Sequence, residues 1–316
     1  MKLVSSTGDF SHYVPTVTEK IRLFGDTKFR YLNLEQTGNI PAFFEESDTP
    51  YRTLCEEWGK AAEDAGVTFL VSHAPCLHNP CFGRLTNPDD ETYKANIRAI
   101  RRSIENCKTL GIPRIVVHAC TDASFSKEEL FNYNKMFYDD LLPTAEKCGV
   151  MLLTENWDND GTLFSTGAQM REFIDYIDHP LLAGCWDTAH GNIAASSRKI
   201  GQYDNLLALG DKLKGMHISD NFGDTHHHNF PFAGIINFDS IVQGLLDVKY
   251  DGPFTFEASY TLLHQNNLPY NRKPWVHNGL TVTRLLNPSA ALKQKAVDLL
   301  YETGKYILET YGLYEG

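Results

Sequence analysis

Short apolar segments rich in β-branched residues alternate along the chain with longer segments in which apolar residues recur every three or four positions. This alternation is typical of repeated βα units around a parallel sheet. The predicted strands are Lys2–Ser5, Phe29–Leu34, Thr68–Ser72, Arg114–Val117, Met151–Thr154, Leu182–Trp186, Lys214–His217 and Pro253–Phe256. The predicted helices include Tyr51–Ala65, Pro88–Leu110, Lys127–Cys148, Ala168–Ile177, Phe238–Leu246 and Ala290–Leu308. The eight strands predict an α/β fold, a (β/α)8 barrel.

Glycine marks the turns between several predicted helices and the strands that follow them. Gly66, Gly111 and Gly149 each stand between a helix end and an apolar strand start, a position that suits a left-handed C-cap. The first strand leads into Ser5-Ser6-Thr7-Gly8-Asp9 and not into Gly-x-Gly-x-x-Gly, so a Rossmann dinucleotide site has little support. A doubly wound open sheet stays as the alternative, because the strand order cannot be read from the sequence.

The length of 316 residues would allow two average domains, but α/β barrels of this size commonly form one. No linker or low-complexity tract divides the chain, so we expect a single domain over residues 1–316. Residues 259–289, between the last strand and the last helix, lack a clear periodicity. Loops of this size are usually functional, and we expect a lid or an interface arm.

Acidic or metal-ligating residues stand at the C-terminal ends of seven predicted strands. These residues are Glu35, His73, His118, Glu155, Asp187 with His190 one turn later, His217 and Glu257. One such residue alone is more often a solvated strand end or a cap. In a barrel, however, all these ends converge on one mouth, where catalytic groups collect. The repetition over seven strands therefore indicates a functional site.

Several carboxylates in one mouth repel each other unless a cation lies among them. We predict one divalent metal ion, bound by Glu155, Asp187, His217 and Glu257. Three carboxylates and one imidazole form a mainly hard ligand set, which suits Mn²⁺ best and accepts Mg²⁺, Co²⁺ or Zn²⁺.

The composition narrows the expected partners. A formal net charge of −11 disfavours nucleic acid, whose phosphates repel an acidic protein. The seven cysteines are scattered without a Cys-x-x-Cys pair, which argues against a disulfide framework or a structural zinc site. The start of the chain soon turns polar and no apolar run approaches a membrane span, so we expect a cytoplasmic protein without membrane contact.

Two further features narrow the range of expected reactions and substrates. No lysine closes a predicted strand, which disfavours a Schiff-base mechanism. Residues 258–261 lack the Gly-rich turn that usually holds a phosphate in a barrel, so the expected substrate is small and unphosphorylated.

Several motifs at these strand ends resemble those of the xylose-isomerase-like TIM barrel superfamily, which contains sugar isomerases, ketose 3-epimerases, inosose dehydratases and endonuclease IV. The motifs are Thr154-Glu155-Asn156, Trp186-Asp187-Thr188-Ala189-His190, His217-Ile218-Ser219-Asp220-Asn221, Gly223-Asp224-Thr225-His226, Gly234-Ile235-Ile236-Asn237-Phe238 and Thr255-Phe256-Glu257. The resemblance covers nearly the whole chain. It implies the same four metal ligands, and it implies that His190 contacts the substrate or the metal.

The resemblance to the isomerase and epimerase branch implies proton transfer through a metal-stabilised enediolate of an unphosphorylated keto-sugar or related polyol. In that branch Glu155 and Glu257 would be the acid–base pair. A lyase or dehydratase acting on keto-sugars or keto-inositols would use the same metal enolate and is the first alternative. Ketose 3-epimerases carry an Arg shortly after the strand-seven His, whereas Phe222-Gly223-Asp224 stands here, so 3-epimerase specificity is not predicted.

A second alternative is an apurinic-site nuclease like endonuclease IV, which holds three zinc ions. His73, His118, Asp224 and His226 match its additional ligands. The loops after strands five to seven argue against this function: they hold Asp158, Asp160, Asp220 and Asp224 but only Arg198 and Lys199 as cations, and DNA binding needs many. A non-catalytic sugar-binding barrel is the third alternative.

The remaining predictions concern the walls of the site and its partners. We expect substrate contacts from His190, His73, His118, His226, Asp224, Trp157 and Glu35. Of the triple histidine, His226 is expected to point inward, and His227 and His228 into solvent. Trp157, Trp186, Phe222 and Phe232 are expected either to form an apolar wall or to pack in the barrel. A small-molecule sugar is the expected ligand, and we expect a homo-oligomer, with a different partner subunit left open.

Overall fold

A computed structural model describes residues 1–37, 40–75, 87–121, 124–158, 164–262 and 274–316, without the side chains of residues 196–198. Eight parallel strands build the barrel, in the order in which they occur along the chain. They are β1 (Leu3–Ser6), β2 (Tyr31–Glu35), β3 (Thr68–His73), β4 (Arg114–Val116), β5 (Met151–Glu155), β6 (Leu182–Asp187), β7 (Leu213–His217) and β8 (Phe254–Thr255). The predicted strand boundaries agree with these to within two residues. The predicted (β/α)8 barrel is confirmed.

The barrel closes where its last strand meets both β1 and β7. In β1, Leu3 and Val4 pair with Phe254 and Thr255 of β8. On the other side, the backbone N–H of Ile218 donates to the Thr255 carbonyl (2.8 Å), and the N–H of Glu257 donates to the Ile218 carbonyl (3.0 Å). This closure rules out the open doubly wound sheet and brings Glu257 beside the end of β7.

Helices surround the strands. They are α1 (Val17–Leu23), α2 (Thr49–Ala65), α3 (Glu91–Thr109), α4 (Lys127–Cys148), α5 (Gly167–Ile177), α6 (Thr188–Arg198), α7 (Gln202–Leu209), α8 (Phe238–Asp247) and α9 (Ala290–Thr310). None of the helices in the described part of the chain is both long enough and apolar enough to cross a membrane. The glycine turns are as predicted, because Gly66, Gly111 and Gly149 have φ values of 65°, 71° and 68°.

Helices α1, α6 and α7 were not among the predicted helices. The first has seven residues, too few for an apolar period to emerge. Helix α6 begins directly at the end of β6 and contains Gly191, at which a Cβ atom would lie 2.5 Å from the Trp186 ring. Glycine lowers helix propensity, but here it allows the helix to pack closely on that ring.

The main core lies between the barrel and its helices, where large side chains such as Phe10, Phe137 and Phe173 are fully buried. A smaller cluster of Val71, Val116, Leu153, Ala183 and Cys185 lies apart from it, on the strands. With the large side chains packed against the helices, the polar residues at the strand ends are free to face one another at the mouth.

Residues 259–289 contain an exposed hairpin within their described part, β9 (Trp275–His277) and β10 (Leu280–Val282). Asn278 and Gly279 form its turn with φ values of 48° and 75°, as expected for a two-residue type I′ turn. The prediction treated this segment as aperiodic, although Asn-Gly between two short segments that contain aromatic and β-branched residues is a hairpin signal. Residues 263–273 of this segment, like Asp160 of the acidic loops, lie outside the described residues.

Candidate metal centre

The four predicted metal ligands come together at the C-terminal mouth of the barrel. One ligand atom each of Glu155, Asp187, His217 and Glu257 lies within 4.8 Å of all the others. Nδ1 of His217 is 2.9 Å from Oε1 of Glu155 and 2.9 Å from Oε2 of Glu257. Three of the four residues end strands β5, β6 and β7, and Glu257 follows β8. The group is therefore held by four adjacent strands and could bind one cation.

Asp187 is held in place by its neighbours on both sides. The side-chain amide of Asn156 makes two hydrogen bonds to the backbone of Asp187. Its Oδ1 accepts from the Asp187 N–H (2.5 Å), and its Nδ2 donates to the Asp187 carbonyl (3.0 Å). Oδ1 of Asp187 also caps helix α6 by accepting the His190 N–H (2.7 Å). Its other oxygen, Oδ2, is buried and has no hydrogen-bond partner in the described part of the protein. A buried oxygen without a donor is suited to a cation.

The electrostatics of the group also favour a cation. Burial, with the charges of Glu257 and Glu155, raises the pKa of Asp187 to about 6. Burial also favours neutral Glu155 and Glu257, but the positive charge and hydrogen bonds of His217 outweigh it and lower the pKa of both carboxyls. Burial opposes a charge on His217, yet these carboxylates raise its pKa well above the ordinary value. One imidazolium thus stands among three acids, and a divalent ion would supply the missing positive charge.

Two further groups of ligating side chains flank this centre and share residues with it. His73, His118 and Glu155 form the first, in which Nε2 of His118 lies 3.0 Å from Nε2 of His73 and 3.0 Å from Oε2 of Glu155. Asp187, His190 and His226 form the second, with the two imidazole rings stacked at 4.0 Å. Burial, followed by the neighbouring His190 and His228, lowers the pKa of His226 to about 3. A neutral imidazole of this kind can serve as a ligand or a hydrogen-bond partner.

The loop after β7 forms a short hairpin, which brings His226 and His228 to the mouth of the barrel. Asp220 and Asn229 pair through backbone hydrogen bonds of 2.9 and 3.1 Å. The carboxylate of Asp220 also accepts the N–H groups of Gly234 (2.9 Å) and Ile236 (3.1 Å). Gly234 is required because a Cβ atom there would lie 2.3 Å from the carbonyl oxygen of Asn221. The acidic residue thus organises the loop that carries the triple histidine.

The prediction for His228 was wrong. Its side chain is buried, its Nδ1 donates to the carbonyl of Glu257 (2.9 Å) and its ring lies 4.3 Å from that of His226. His226 points inward as predicted, and His227 is partly exposed, with Nδ1 3.0 Å from the Thr225 carbonyl. The error has a structural reason: the pairing of Asp220 with Asn229 folds this loop back to the mouth, and His228 adopts a left-handed φ of 41° there. No local sequence pattern indicates this conformation.

The other predicted contact residues divide into two sets. Trp157 packs against the rings of His118 and His190 at 5.1 and 5.2 Å, beside the ligating groups. Glu35 is buried next to His73 on the neighbouring strand and accepts hydrogen bonds from Ser6 and Asn33. Asp224, by contrast, is exposed and lies 3.6 Å from His227, apart from the three groups.

The four aromatic residues divide between the two roles left open for them, a wall of the site and packing in the barrel, and one of them has neither role. Trp186 is fully buried and donates through Nε1 to Gln202 (2.7 Å), so it belongs to the packing between β6 and the helices. Phe232 packs against Phe238 and Tyr306. Phe222 is exposed with its edge toward His227. Only Trp157 contacts the ligating groups in the described structure.

Comparison with known proteins identifies the family. Residues 26–284 match the family model described as the xylose isomerase-like TIM barrel. The chain belongs to this family. Among curated proteins, the chain is similar to an uncharacterized protein y4fM from Sinorhizobium fredii, 27% identical over 182 residues, 54% of each chain. A probable endonuclease 4 from Nitrosopumilus maritimus is 25% identical over 51% of this chain and 62% of its own. An L-ribulose 3-epimerase from Methylomonas sp. is 30% identical over 96 residues, 30% of each chain.

Several solved structures superpose on this chain over nearly its whole length. A D-tagatose 3-epimerase-like protein superposes with a TM-score of 0.66 at 21% identity, over 98% of this chain and 100% of its own. The IOLI protein with a bound zinc atom superposes with a TM-score of 0.69 at 16% identity, over 98% and 99%. Identities this low establish the fold. The chain spans about half the length of the first curated relative it matches.

Metal binding at the centre should raise the melting temperature. After treatment with EDTA, Mn²⁺ at 1,000 times its dissociation constant should stabilise the fold by about 4 kcal/mol, a shift of several degrees for a chain of this size. Differential scanning fluorimetry measures the shift. It should vanish in Asp187→Asn and persist in Asp204→Asn, a matched change on the exposed face of α7. An equal shift in both variants would place the metal elsewhere.

Proposed function

We propose that the protein is a divalent-metal-dependent isomerase or epimerase of an unphosphorylated keto-sugar or related polyol. Glu155 and Glu257 are the proposed acid–base pair, and Mn²⁺ is the proposed metal. The observation that carries this proposal is that one oxygen of each carboxylate lies 2.9 Å from Nδ1 of His217. Two potential bases thus face one position at the mouth of the barrel.

A divalent cation held by Glu155, Asp187, His217 and Glu257 would supply positive charge that stabilises the oxyanion formed when a carbon next to a carbonyl loses its proton. The low pKa of Glu155 and Glu257 keeps both carboxylates ionised near neutral pH. Each can therefore accept a proton from such a carbon, and the protonated acid can return it. Return to the same carbon from the opposite face gives an epimer, and return to the neighbouring carbon gives an isomer.

Side chains next to the pair are suited to hold a sugar. Trp157 offers an aromatic face, on which the C–H groups of a sugar ring can pack. His190 is buried, and neither of its ring nitrogens has a hydrogen-bond partner in the described part of the chain. Burial lowers the pKa of His190, so its neutral ring can donate to one substrate hydroxyl and accept from another.

The charge around the mouth supports a neutral substrate. The loop after β7, residues 218–237, contains Asp220 and Asp224 and no Lys or Arg. Asp158 adds a further negative charge after β5. A phosphorylated sugar would bring two negative charges close to these carboxylates without a partner in this loop.

A nuclease like endonuclease IV is the second candidate, favoured by the two flanking groups that share Glu155 and Asp187. Relatives named as probable endonuclease 4 support it as well. Against it stand the acidic loops, because DNA binding depends on Lys and Arg that neutralise phosphates. The exposed position of Asp224 also separates one of the expected ligands from the others.

The partners and the long segment remain predictions. We propose a single domain over residues 1–316 and a homo-oligomer. Residues 259–289 would serve as a lid or an interface arm, for which the exposed Trp275, Val276 and Leu280 of the β9–β10 hairpin provide apolar surface. Size-exclusion chromatography with light scattering, before and after deletion of residues 275–282, tests the interface role.

A panel of ketoses incubated with the Mn²⁺-loaded protein tests the function. NMR in deuterated water should reveal a new isomer or epimer with deuterium at the exchanged carbon. A dehydrated product instead would identify a lyase. Cleavage of an abasic DNA duplex together with three zinc ions per chain would overturn the proposal in favour of the nuclease, and sugar binding without turnover would indicate a binding barrel.

A further inference from the structure

Lys293 is a fully buried lysine in the first turn of α9. Its ammonium group lies 3.4 Å from Oδ1 of Asp9, which is also buried. The other oxygen of Asp9 accepts a hydrogen bond from Ser5 (2.6 Å). Ser5 lies in β1 and Asp9 in the short 3₁₀ turn that follows it, so this ion pair sits on the mouth side of the barrel.

The ammonium group also holds the segment that follows β8. It donates to the carbonyls of Ser259 (3.0 Å) and Thr261 (2.8 Å), on either side of Tyr260. These two hydrogen bonds use two of the three N–H donors of the ammonium group, and Oδ1 of Asp9 at 3.4 Å is an ion-pair contact without a hydrogen bond. The hydroxyl of Tyr13 holds the next carbonyl, that of Leu262. The segment is thus fixed from helix α9 and from the β1 loop together.

Tyr260 connects the segment held by Lys293 to the candidate metal centre. Its backbone N–H donates to the carbonyl of His228 (3.3 Å), and the two rings lie 4.9 Å apart. His228 in turn donates to the carbonyl of Glu257 (2.9 Å). Tyr260 therefore lies three positions after the proposed base Glu257 along the chain, and His228 contacts both residues.

A buried ion pair is a poor means of stabilising a fold, because well-packed apolar residues of similar volume serve as well or better. Charged groups in such places can instead specify one local conformation. We propose that Lys293 is a positioning residue that fixes residues 259–261 so that Tyr260 forms one wall of the sugar site beside His228. This inference rests on the proposed isomerase or epimerase function for its kinetic consequences.

The double variant Asp9→Asn with Lys293→Met removes both charges and so avoids leaving one unpaired in the core. With the ketose that the wild type converts, kcat/KM should fall by on the order of 10², mostly through KM, as expected for a misplaced wall. The Mn²⁺ content should be unchanged, because no metal ligand is altered. Lys295→Met, on the exposed face of the same helix, is the matched control and should behave as wild type.

A double-mutant cycle with Tyr260→Ala tests whether Lys293 acts through Tyr260. In that background, the Asp9→Asn and Lys293→Met changes should add nothing further to KM. Fully additive effects on KM would overturn the inference, because Lys293 and Asp9 would then influence KM independently of Tyr260.

Hydrogen exchange provides a readout that does not need turnover. The amide of Tyr260 should exchange about tenfold faster or more in the Asp9→Asn, Lys293→Met variant than in the Lys295→Met control. Unchanged exchange would overturn the inference. If the wild type converts no ketose but the double variant still shows faster exchange at Tyr260, the result would count against the proposed function. It would still support the positioning role of Lys293.

Discussion

Replacement of Glu257 by Gln should lower the exchange of solvent deuterium into the ketose substrate by on the order of 10² or more, the usual scale for the loss of a positioned base. The amide has the shape of the carboxylate but cannot accept the proton. Glu155→Gln should have an effect of similar size, because each carboxylate lies equally close to Nδ1 of His217. The exchange rate is measured by NMR in deuterated water.

Two controls separate the role of a base from that of a ligand. Metal content is measured in each variant, because Gln also replaces a negatively charged ligand by a neutral one. Lost exchange with Mn²⁺ retained supports the base, whereas lost exchange with lost Mn²⁺ supports only the ligand. Glu128→Gln, on the exposed first turn of α4, should change neither. Undiminished exchange in both site variants would contradict the acid–base assignment.

The barrel and the four central residues could be predicted from sequence for one physical reason. Parallel strands place their C-terminal ends at the same mouth, so Glu155, Asp187 and His217 had to meet once the strands were recognised. The strand boundaries were accurate because the apolar runs are short and bounded by polar residues or glycine. Helix α6 was missed because it begins directly after β6 and contains Gly191, which lowers helix propensity but is required by the close packing on Trp186.

Contacts that depend on loops could not be predicted. His228 reaches the site only because Asp220 pairs with Asn229 and so folds the triple histidine back toward the mouth. Asp224, in the same loop, stays in solvent. The pairing of Asp9 with Lys293 joins residues 284 positions apart, and no local pattern indicates it. Loop conformation and long-range ion pairs are set by tertiary contacts, which a single sequence does not reveal.

Replacement of His217 by Gln should weaken Mn²⁺ binding by more than about 10²-fold, because even residues that only orient metal ligands contribute 10- to 100-fold. The imidazole is fully buried and its Nδ1 lies 2.9 Å from an oxygen of both Glu155 and Glu257, so its replacement removes a ligand atom from the middle of the group. Titration calorimetry on protein treated with EDTA measures the dissociation constant, and elemental analysis measures the metal content.

His118→Gln is the matched variant, because it changes the same residue type in the flanking group. Nε2 of His118 lies 3.0 Å from Oε2 of Glu155, so in a protein with one metal it only orients a ligand. Its replacement should then weaken Mn²⁺ binding by about tenfold and leave one ion per chain at saturation. In a protein with three zinc ions, the same change would instead remove one of the three while the others stay bound. The number of ions lost when His118 is replaced, and not the overall metal affinity, therefore distinguishes a sugar isomerase or epimerase from a nuclease.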